Sequence, residues 1–290
     1  MANNLRLIEY YTAPPNILPG PLPTIARILD TPPDRTANGS STIVLDGHFF
    51  VKYGPKVSTI EAENMLFVRR NTYINLPTVY SVRQYHGGVA IIMERIPGIN
   101  VDTLIQGDTL TVADKRSISE QLRSALFQMR TIPPSNPNYY GSLLQRAYNG
   151  NDWFHLNYGP FTDINEFHRS YLGTYAGSLD VLNQPARVVE AFQAFEAAAQ
   201  NHSNPVFTHA DLAARNVMLR PDKKIAIVDW ELAGWYPLYW ESFCSPSGAL
   251  NDQFRVPEKI PEILETLNGI HEAILHPMNM ALDPVIEPRT

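Results

Sequence analysis

Residues 206–234 read VFTHADLAARNVMLRPDKKIAIVDWELAG and place oxygen- and nitrogen-bearing side chains at both ends of two apolar runs. The runs, residues 216–219 and 225–228, flank Pro221-Asp222-Lys223-Lys224, and this pattern predicts a tight β-hairpin. His209, Asp211 and Asn216 come just before the first strand and Asp229 just after the second. A hairpin returns its ends to one place, so Asp211, Asn216 and Asp229 are expected to converge. Magnesium takes a few carboxylate or amide oxygens and keeps its other positions for water and phosphate, which makes Asn216 and Asp229 candidate metal ligands. Asp211 would be free to accept or orient the proton of a substrate hydroxyl. Either residue alone beside a turn could merely cap backbone groups. The whole spacing, with an apolar strand leading into Asp229, is what points to chemistry.

His209-x-Asp211-x-x-x-x-Asn216 followed by Ile227-Val228-Asp229 resembles the catalytic loop and metal-binding segment of phosphotransferases built on the protein-kinase plan. Asp229-Trp230-Glu231, where protein kinases carry Asp-Phe-Gly, is similar to the aminoglycoside phosphotransferase and choline kinase branch. Residues 233–241, AGWYPLYWE, resemble most the fungal members of that family. The resemblance covers nearly the whole chain. It implies an α+β, two-lobed, protein-kinase-like fold, with an N-lobe antiparallel sheet carrying one helix and a mainly helical C-lobe carrying the catalytic hairpin. It also implies ATP and Mg²⁺ as cofactors and a hydroxyl of a small molecule as phosphoryl acceptor.

Positioning these groups requires a first lobe. Residues 43–45 and 49–51 are apolar runs around Asp46-Gly47, a strong hairpin signal. Lys52 ends the second run, and the resemblance makes it the lysine that pairs with the α and β phosphates of ATP. Residues 59–70 have helical spacing, with Ser58 or Thr59 as N-cap and Glu61 in the first turn, where an acid suits the helix dipole. Glu61 matches the family's glutamate partner of that lysine, and Glu63 competes for the role one step around the helix. Asn38-Gly39-Ser40-Ser41 supplies small residues whose backbone could approach phosphates. The cradle role of Gly39, Ser40 and Ser41 rests on the resemblance, since glycine is sparse here.

Residues 76–80 and 87–93 read as two further strands around Gly87-Gly88, ending at Glu94-Arg95-Ile96-Pro97-Gly98. That ending resembles an interlobe hinge, whose backbone from Glu94 to Ile96 would hydrogen-bond adenine. The expected division is residues 1–96 for the N-terminal lobe, including a proline-rich extension, and 97–290 for the C-terminal lobe. The extension is expected on the surface of the first lobe, with a short helical piece near residues 24–29.

The second lobe shows amphipathic helical patterns over residues 111–129 and 187–200, and another helix opening near the cap candidates Thr162 and Asp163. A closing helix is expected over residues 257–275. Residues 139–159 form an aromatic insert with Trp153, Phe154 and Tyr158, which the resemblance places beside the acceptor. The cluster Trp235, Tyr236, Tyr239 and Trp240 is either core or acceptor wall. In the second case Glu231, Glu241, Trp235 and Tyr236 face a cationic or amphipathic substrate through cation–π contact. Arg215 could help the transferring phosphoryl group, and His209 is expected to brace the loop by hydrogen bonds. His155, His168 and His202 read as ordinary surface or loop histidines.

Composition narrows the remaining classes. The net charge of −6 argues against wholesale nucleic-acid binding. No stretch approaches the roughly eighteen apolar residues of a membrane span, and the N-terminus lacks a signal-peptide pattern. The single cysteine, Cys244, cannot form an intramolecular disulfide. A cytoplasmic protein, a monomer or weak dimer with neither nucleic acid nor membrane as partner, is the expectation. A nucleotide-binding regulatory protein without turnover stays open, as does a specialised-metabolism enzyme using the fold for another ATP-driven step. A protein kinase is disfavoured by the missing Asp-Phe-Gly, Ala-Pro-Glu and full glycine-rich loop.

Overall fold

The computed structural model describes residues 8–148, 159–176, 186–199 and 202–241. The expected helix over residues 257–275, the insert residues Trp153, Phe154, His155 and Tyr158, and Cys244 lie outside the described residues. In chain order the first part comprises β1 (Ile8–Thr12), α1 (Ile25–Asp30), β2 (Arg35–Ala37), β3 (Ser40–Leu45), β4 (Phe49–Gly54), α2 (Thr59–Asn71), β5 (Val79–Tyr85) and β6 (Gly88–Glu94). The strands form one antiparallel sheet of six, in the order β1-β5-β6-β4-β3-β2.

Short turns set the register of this sheet. Asn38 and Gly39 (φ 49° and 76°) join β2 to β3, and Asp46 and Gly47 (φ 54° and 76°), followed by His48, join β3 to β4. Positive φ at both central positions gives a turn whose twist matches the strands it joins. The alternation of β4 then decides its faces: Phe49, Val51 and Tyr53 pack under α1 with Ile25, Ile28 and Ile43, while Phe50 packs with the cluster that contains α2. Lys52 shares the parity of Phe50 and so looks toward α2.

The N-terminal extension is more than a surface strap. Its first described residues add β1 to the sheet edge against β5, and Ile28 of α1 is fully buried. The short IEYYT segment shows no clean alternation, so its sequence did not announce a strand. The strand expected at residues 76–80 instead starts at Val79 and runs to Tyr85. Pro77, which has no N–H for a ladder, stays outside it.

The chain continues through β7 (Ile99–Asn100), α3 (Val101–Gln106), α4 (Val112–Arg130), α5 (Ile164–Ala176), α6 (Ala186–Ala199), β8 (Pro205–Thr208), β9 (Val217–Leu219), β10 (Ile225–Ile227) and β11 (Gly234–Pro237). Thr111 and Asp114 close a capping box at the start of α4, and Ile118, Leu122, Leu126 and Met129 form its buried stripe. The predicted hairpin is present as β9 and β10, and β7 pairs with β9 on its other side. Gly98 makes that pairing possible: a Cβ there would sit 2.5 Å from the Leu219 carbonyl oxygen, at φ 157°. β8 pairs with β11 and brings the chain before His209 beside the chain after Gly234. Among the described residues no helix is long and apolar enough to cross a membrane.

Candidate active site

Lys52 stands at the centre of a charged group drawn from three elements. Its Nζ lies 2.8 Å from Glu61 Oε2 of α2, 2.9 Å from Asp229 Oδ1 and 3.0 Å from Glu231 Oε2. Ser58 caps α2 by accepting the Ile60 N–H, which starts the helix where Glu61 falls in its first turn. Glu63 does not compete: it turns away to pair with Arg146. Burial alone would lower the Lys52 pKa, but Glu61, Asp229 and Glu231 together raise it, so the ammonium stays charged. Burial pushes the Glu61 carboxyl up to about 7, and the charges of Asp229 and Glu231 push the same way against the pull of Lys52.

The second group is built by the loop before β9. His209 Nδ1 accepts the Asp211 N–H at 3.2 Å, which leaves Nε2 to donate to the Val228 carbonyl at 3.1 Å. His209 is therefore fully engaged as a brace between the loop and β10's exit, and its ring stands edge-on to Trp230. The Val228 N–H donates to the Asn216 carbonyl at 2.9 Å, so the start of the hairpin sits beside its end. Asn216 Nδ2 donates to both the carbonyl and Oδ2 of Asp211 at 2.8 Å, and Arg215 pairs with the other carboxylate oxygen. Asp229 holds a left-handed backbone, φ 67°, at the junction.

The donor set fits a divalent cation. Glu61, Asp229 and Glu231 offer carboxylate oxygens within 4.8 Å of one another and share the single ammonium of Lys52. Three carboxylates and one ammonium leave a local excess of negative charge, and the oxygens are those a hard ion prefers. Asn216 commits its Nδ2 to Asp211, leaving Oδ1 as the atom that could ligate a metal.

The other expected site residues are distributed around this centre. Gly39 and Ser40 lie at the β2–β3 turn, and Ser41 pairs with Tyr53 next to the Thr42–Lys52 pair. The Glu94 carboxylate accepts from the N–H and Oγ1 of Thr78, at 3.1 and 2.7 Å, so its side chain fixes the strand end. The Ile96 backbone has no backbone hydrogen-bond partner among the described residues.

The structure places three of the four candidate acceptor residues in the buried interior. Trp235 and Tyr236 are buried core rings, stacked or edge-on to Phe207, Tyr148 and Trp240. Glu241 is buried and accepts the backbone N–H groups of His209, Ala210 and Leu212. Alternation along β11 cannot expose either ring, because both faces of that strand are covered. Glu231, the fourth, turns toward Lys52. His168, expected near the surface, is buried with Nε2 2.7 Å from the Tyr239 hydroxyl. Sequence reasoning missed Glu241 as a loop clamp and Asn64 as a buried tie. A carboxylate in an aromatic run and an amide in a helix's apolar stripe are the signals that could have found them.

The sequence profile of the phosphotransferase enzyme family matches residues 45–245. Among curated proteins none matches the chain significantly. Several solved structures share its fold. The GDP complex of wild-type aminoglycoside 2′-phosphotransferase-IIIa superposes with a TM-score of 0.55 at 10% identity, covering 89% of this chain and 91% of that one. ADP-bound aminoglycoside phosphotransferase APH(2″)-Ib gives 0.52 at 13% identity, with coverage of 87% and 86%. The streptomycin–ATP complex of APH(2″)-IIa gives 0.50 at 13% identity, with coverage of 87% and 90%. These neighbours have the two-lobed, protein-kinase-like α+β arrangement, with a sheet-based first lobe, that is described above. By its profile match over more than half its length, the chain belongs to the phosphotransferase enzyme family.

Proposed function

We propose that this protein is an ATP- and Mg²⁺-dependent small-molecule kinase that moves the γ-phosphoryl group of ATP to a hydroxyl. One observation carries the reading: Lys52 is held among Glu61, Asp229 and Glu231, beside a loop in which Asn216 aims the Asp211 carboxylate. Phosphoryl transfer needs little covalent help from protein; positioning and charge neutralisation supply most of the rate.

Each residue then has a task. Lys52, fixed by Glu61, binds phosphate oxygens. Asn216 and Asp229 would hold Mg²⁺, which supplies neutralisation of the phosphate charge when bound. Asp211 orients the attacking hydroxyl and accepts its proton, while Arg215 is close enough to its carboxylate to reach the incoming phosphoryl group. Gly39, Ser40 and Ser41 cover the phosphates, and the Ile96 backbone meets the adenine. His209 and Glu241 hold the loop. The lobes divide at residues 94–100, giving 1–96 and 97–290. The ATP, ADP and GDP complexes of the structural neighbours support nucleotide use. With Trp235 and Tyr236 in the core, the aromatic cluster gives no support to cation–π recognition of the acceptor.

A nucleotide-binding protein without turnover would need the same phosphate and metal groups but not Asp211, and the bonds from Asn216 and Arg215 to that carboxylate favour turnover. The test is calorimetric titration of ATP with and without Mg²⁺, comparing the natural protein with Asp229→Asn. ATP affinity that rises with the metal, and does so only when Asp229 is present, supports the reading, and a screen of small alcohols for phosphorylated product then identifies the acceptor. Equal binding by a folded Asp229→Asn variant removes the metal assignment.

A further inference from the structure

Asn64 is fully buried in the middle of α2, in the apolar cluster that contains Ala62, Met65 and Val68. Asparagine is a poor helix former, and a buried amide is unfavourable unless its hydrogen bonds are made. A leucine would suit both the helix and the cluster better. The side chain's bonds show what the amide does in return: Nδ2 donates to the Trp230 carbonyl at 2.8 Å and to the Ala233 carbonyl at 3.1 Å. Its Oδ1 is buried with no hydrogen-bond partner among the described residues. The donor side of the amide is the part in use.

Those two carbonyls belong to the turn that follows Asp229. The Ala233 N–H also donates to the Trp230 carbonyl, so Asn64 grips a closed turn at both ends. Asn64 stands three residues after Glu61, on the same face of α2. The helix that supplies one carboxylate to Lys52 is thus hydrogen-bonded to the backbone that supplies the other two. Mutual repulsion among Glu61, Asp229 and Glu231, whose oxygens lie within 4.8 Å of one another, works to spread these elements apart. Lys52 opposes that from the centre, and Asn64 opposes it from the backbone. Asp229 needs such support in addition, because a non-glycine residue at φ 67° is held by its surroundings.

We propose that Asn64 is a positioning residue for phosphoryl transfer, tying α2 to the 230–233 turn so that the Asp229 and Glu231 carboxylates stay assembled with Glu61 around Lys52. Its consequence for metal use rests on the kinase reading above; its consequence for the turn does not.

The test uses Asn64→Leu, which keeps the branched shape and removes the donor, and Asn64→Ala, which is read in the same way if the leucine variant does not fold. Amide hydrogen exchange of the nucleotide-free protein is followed over residues 228–234 and over β5 and β6 as an internal reference. The Mg²⁺ concentration that half-saturates the metal-dependent gain in ATP affinity is measured alongside. The expected result is faster exchange in 228–234 by about tenfold with β5 and β6 unchanged, and a half-saturating Mg²⁺ concentration raised about tenfold with metal-free ATP binding unaltered. A purely structural role would not separate metal-dependent from metal-free binding. A folded variant with natural exchange in 228–234 overturns the tie. Faster exchange with unchanged Mg²⁺ dependence overturns the positioning role. If the natural protein itself shows no Mg²⁺-dependent ATP binding, the kinase reading fails, and the exchange result alone decides whether Asn64 holds the turn.

Discussion

The Glu241 carboxylate accepts the backbone N–H of His209 at 2.8 Å, and through this bond a residue far along the chain holds the loop that carries Asp211. The same carboxylate takes the N–H groups of Leu212 and Ala210, at 3.3 and 3.4 Å, where Ala210 adopts a left-handed φ of 65°. Three amides replace the water that a buried carboxylate loses. Burial raises the Glu241 pKa, while His209 and the amides pull it down. Glu241→Ala strands three buried donors, so it should lower stability by about 3 kcal/mol or more, and Glu241→Gln, which keeps one acceptor oxygen, by about 1–2 kcal/mol. Urea unfolding of both variants checks the ranking. Equal stabilities would mean the loop holds its shape without the clamp.

The Lys52–Glu61 pair makes stability depend on pH in an unusual direction. Glu61 has a folded pKa of about 7, above its ordinary value of 4.5, because burial and two neighbouring carboxylates disfavour its charge. The folded state then holds a proton that the unfolded state has released, so stability falls as pH rises from about 4.5 to about 7, by on the order of 2 kcal/mol. Glu61→Gln should flatten that profile and be the more stable protein at pH 8, while phosphoryl transfer drops because Lys52 loses one of its three carboxylate partners. Unfolding curves between pH 5 and 8, recorded without divalent cations, show whether the slope belongs to Glu61.

A second titration lies in the aromatic core. His168 donates to or accepts from the Tyr239 hydroxyl at 2.7 Å and stands edge-on to Phe195. Burial lowers its pKa to about 3 from the ordinary 6.5. The unfolded state binds the proton first, so stability is lost as pH falls from about 6.5 toward 3, by about 1.4 kcal/mol per pH unit. His168→Phe keeps a ring and removes the titration. It should be about 1 kcal/mol less stable at neutral pH for want of the Tyr239 bond, yet lose less on acidification, and the two profiles should cross near about pH 5.5. Parallel profiles would place the acid sensitivity elsewhere.

The parts of this site that are local in sequence were legible there. The hairpin of residues 216–228, the Asp46-Gly47 turn and the Ser58 cap follow from turn chemistry and capping and are present, and the pairing of Lys52 with a helix glutamate, which the family resemblance implied, is present with them. What could not be read were choices made by tertiary neighbours. Trp235 and Tyr236 look the same as core or as binding surface until β8 and α5 cover them, and Glu241 is a ligand candidate until three amides converge on it. Whether Glu61 or Glu63 meets Lys52 depended on a rotation of α2, which Arg146 and Asn64 help to fix from outside the helix. β1 was hidden because an edge strand of five residues needs only one partner and little pattern.

On the proposed kinase reading, variants of Asp211 and Arg215 should separate binding from transfer. The Asp211 carboxylate is shared between Asn216 Nδ2 and the Arg215 guanidinium, and Arg215 is 58% exposed. A pair this open to water contributes little to folding, so Arg215→Ala should change stability by less than about 1 kcal/mol. Asp211→Asn should leave ATP binding in the presence of Mg²⁺ within about twofold, because the proposed role of the carboxylate is toward the hydroxyl and not the nucleotide, while transfer to an accepted alcohol falls by about 100-fold or more. Arg215→Ala should lower transfer by about tenfold, and its effect should shrink as salt screens the guanidinium in the natural protein. Calorimetry for ATP and product formation from the same preparations give both quantities. Transfer at the natural rate in a folded Asp211→Asn protein would remove Asp211 as the base and turn attention to Glu231, a partly exposed carboxylate at the same end of the hairpin.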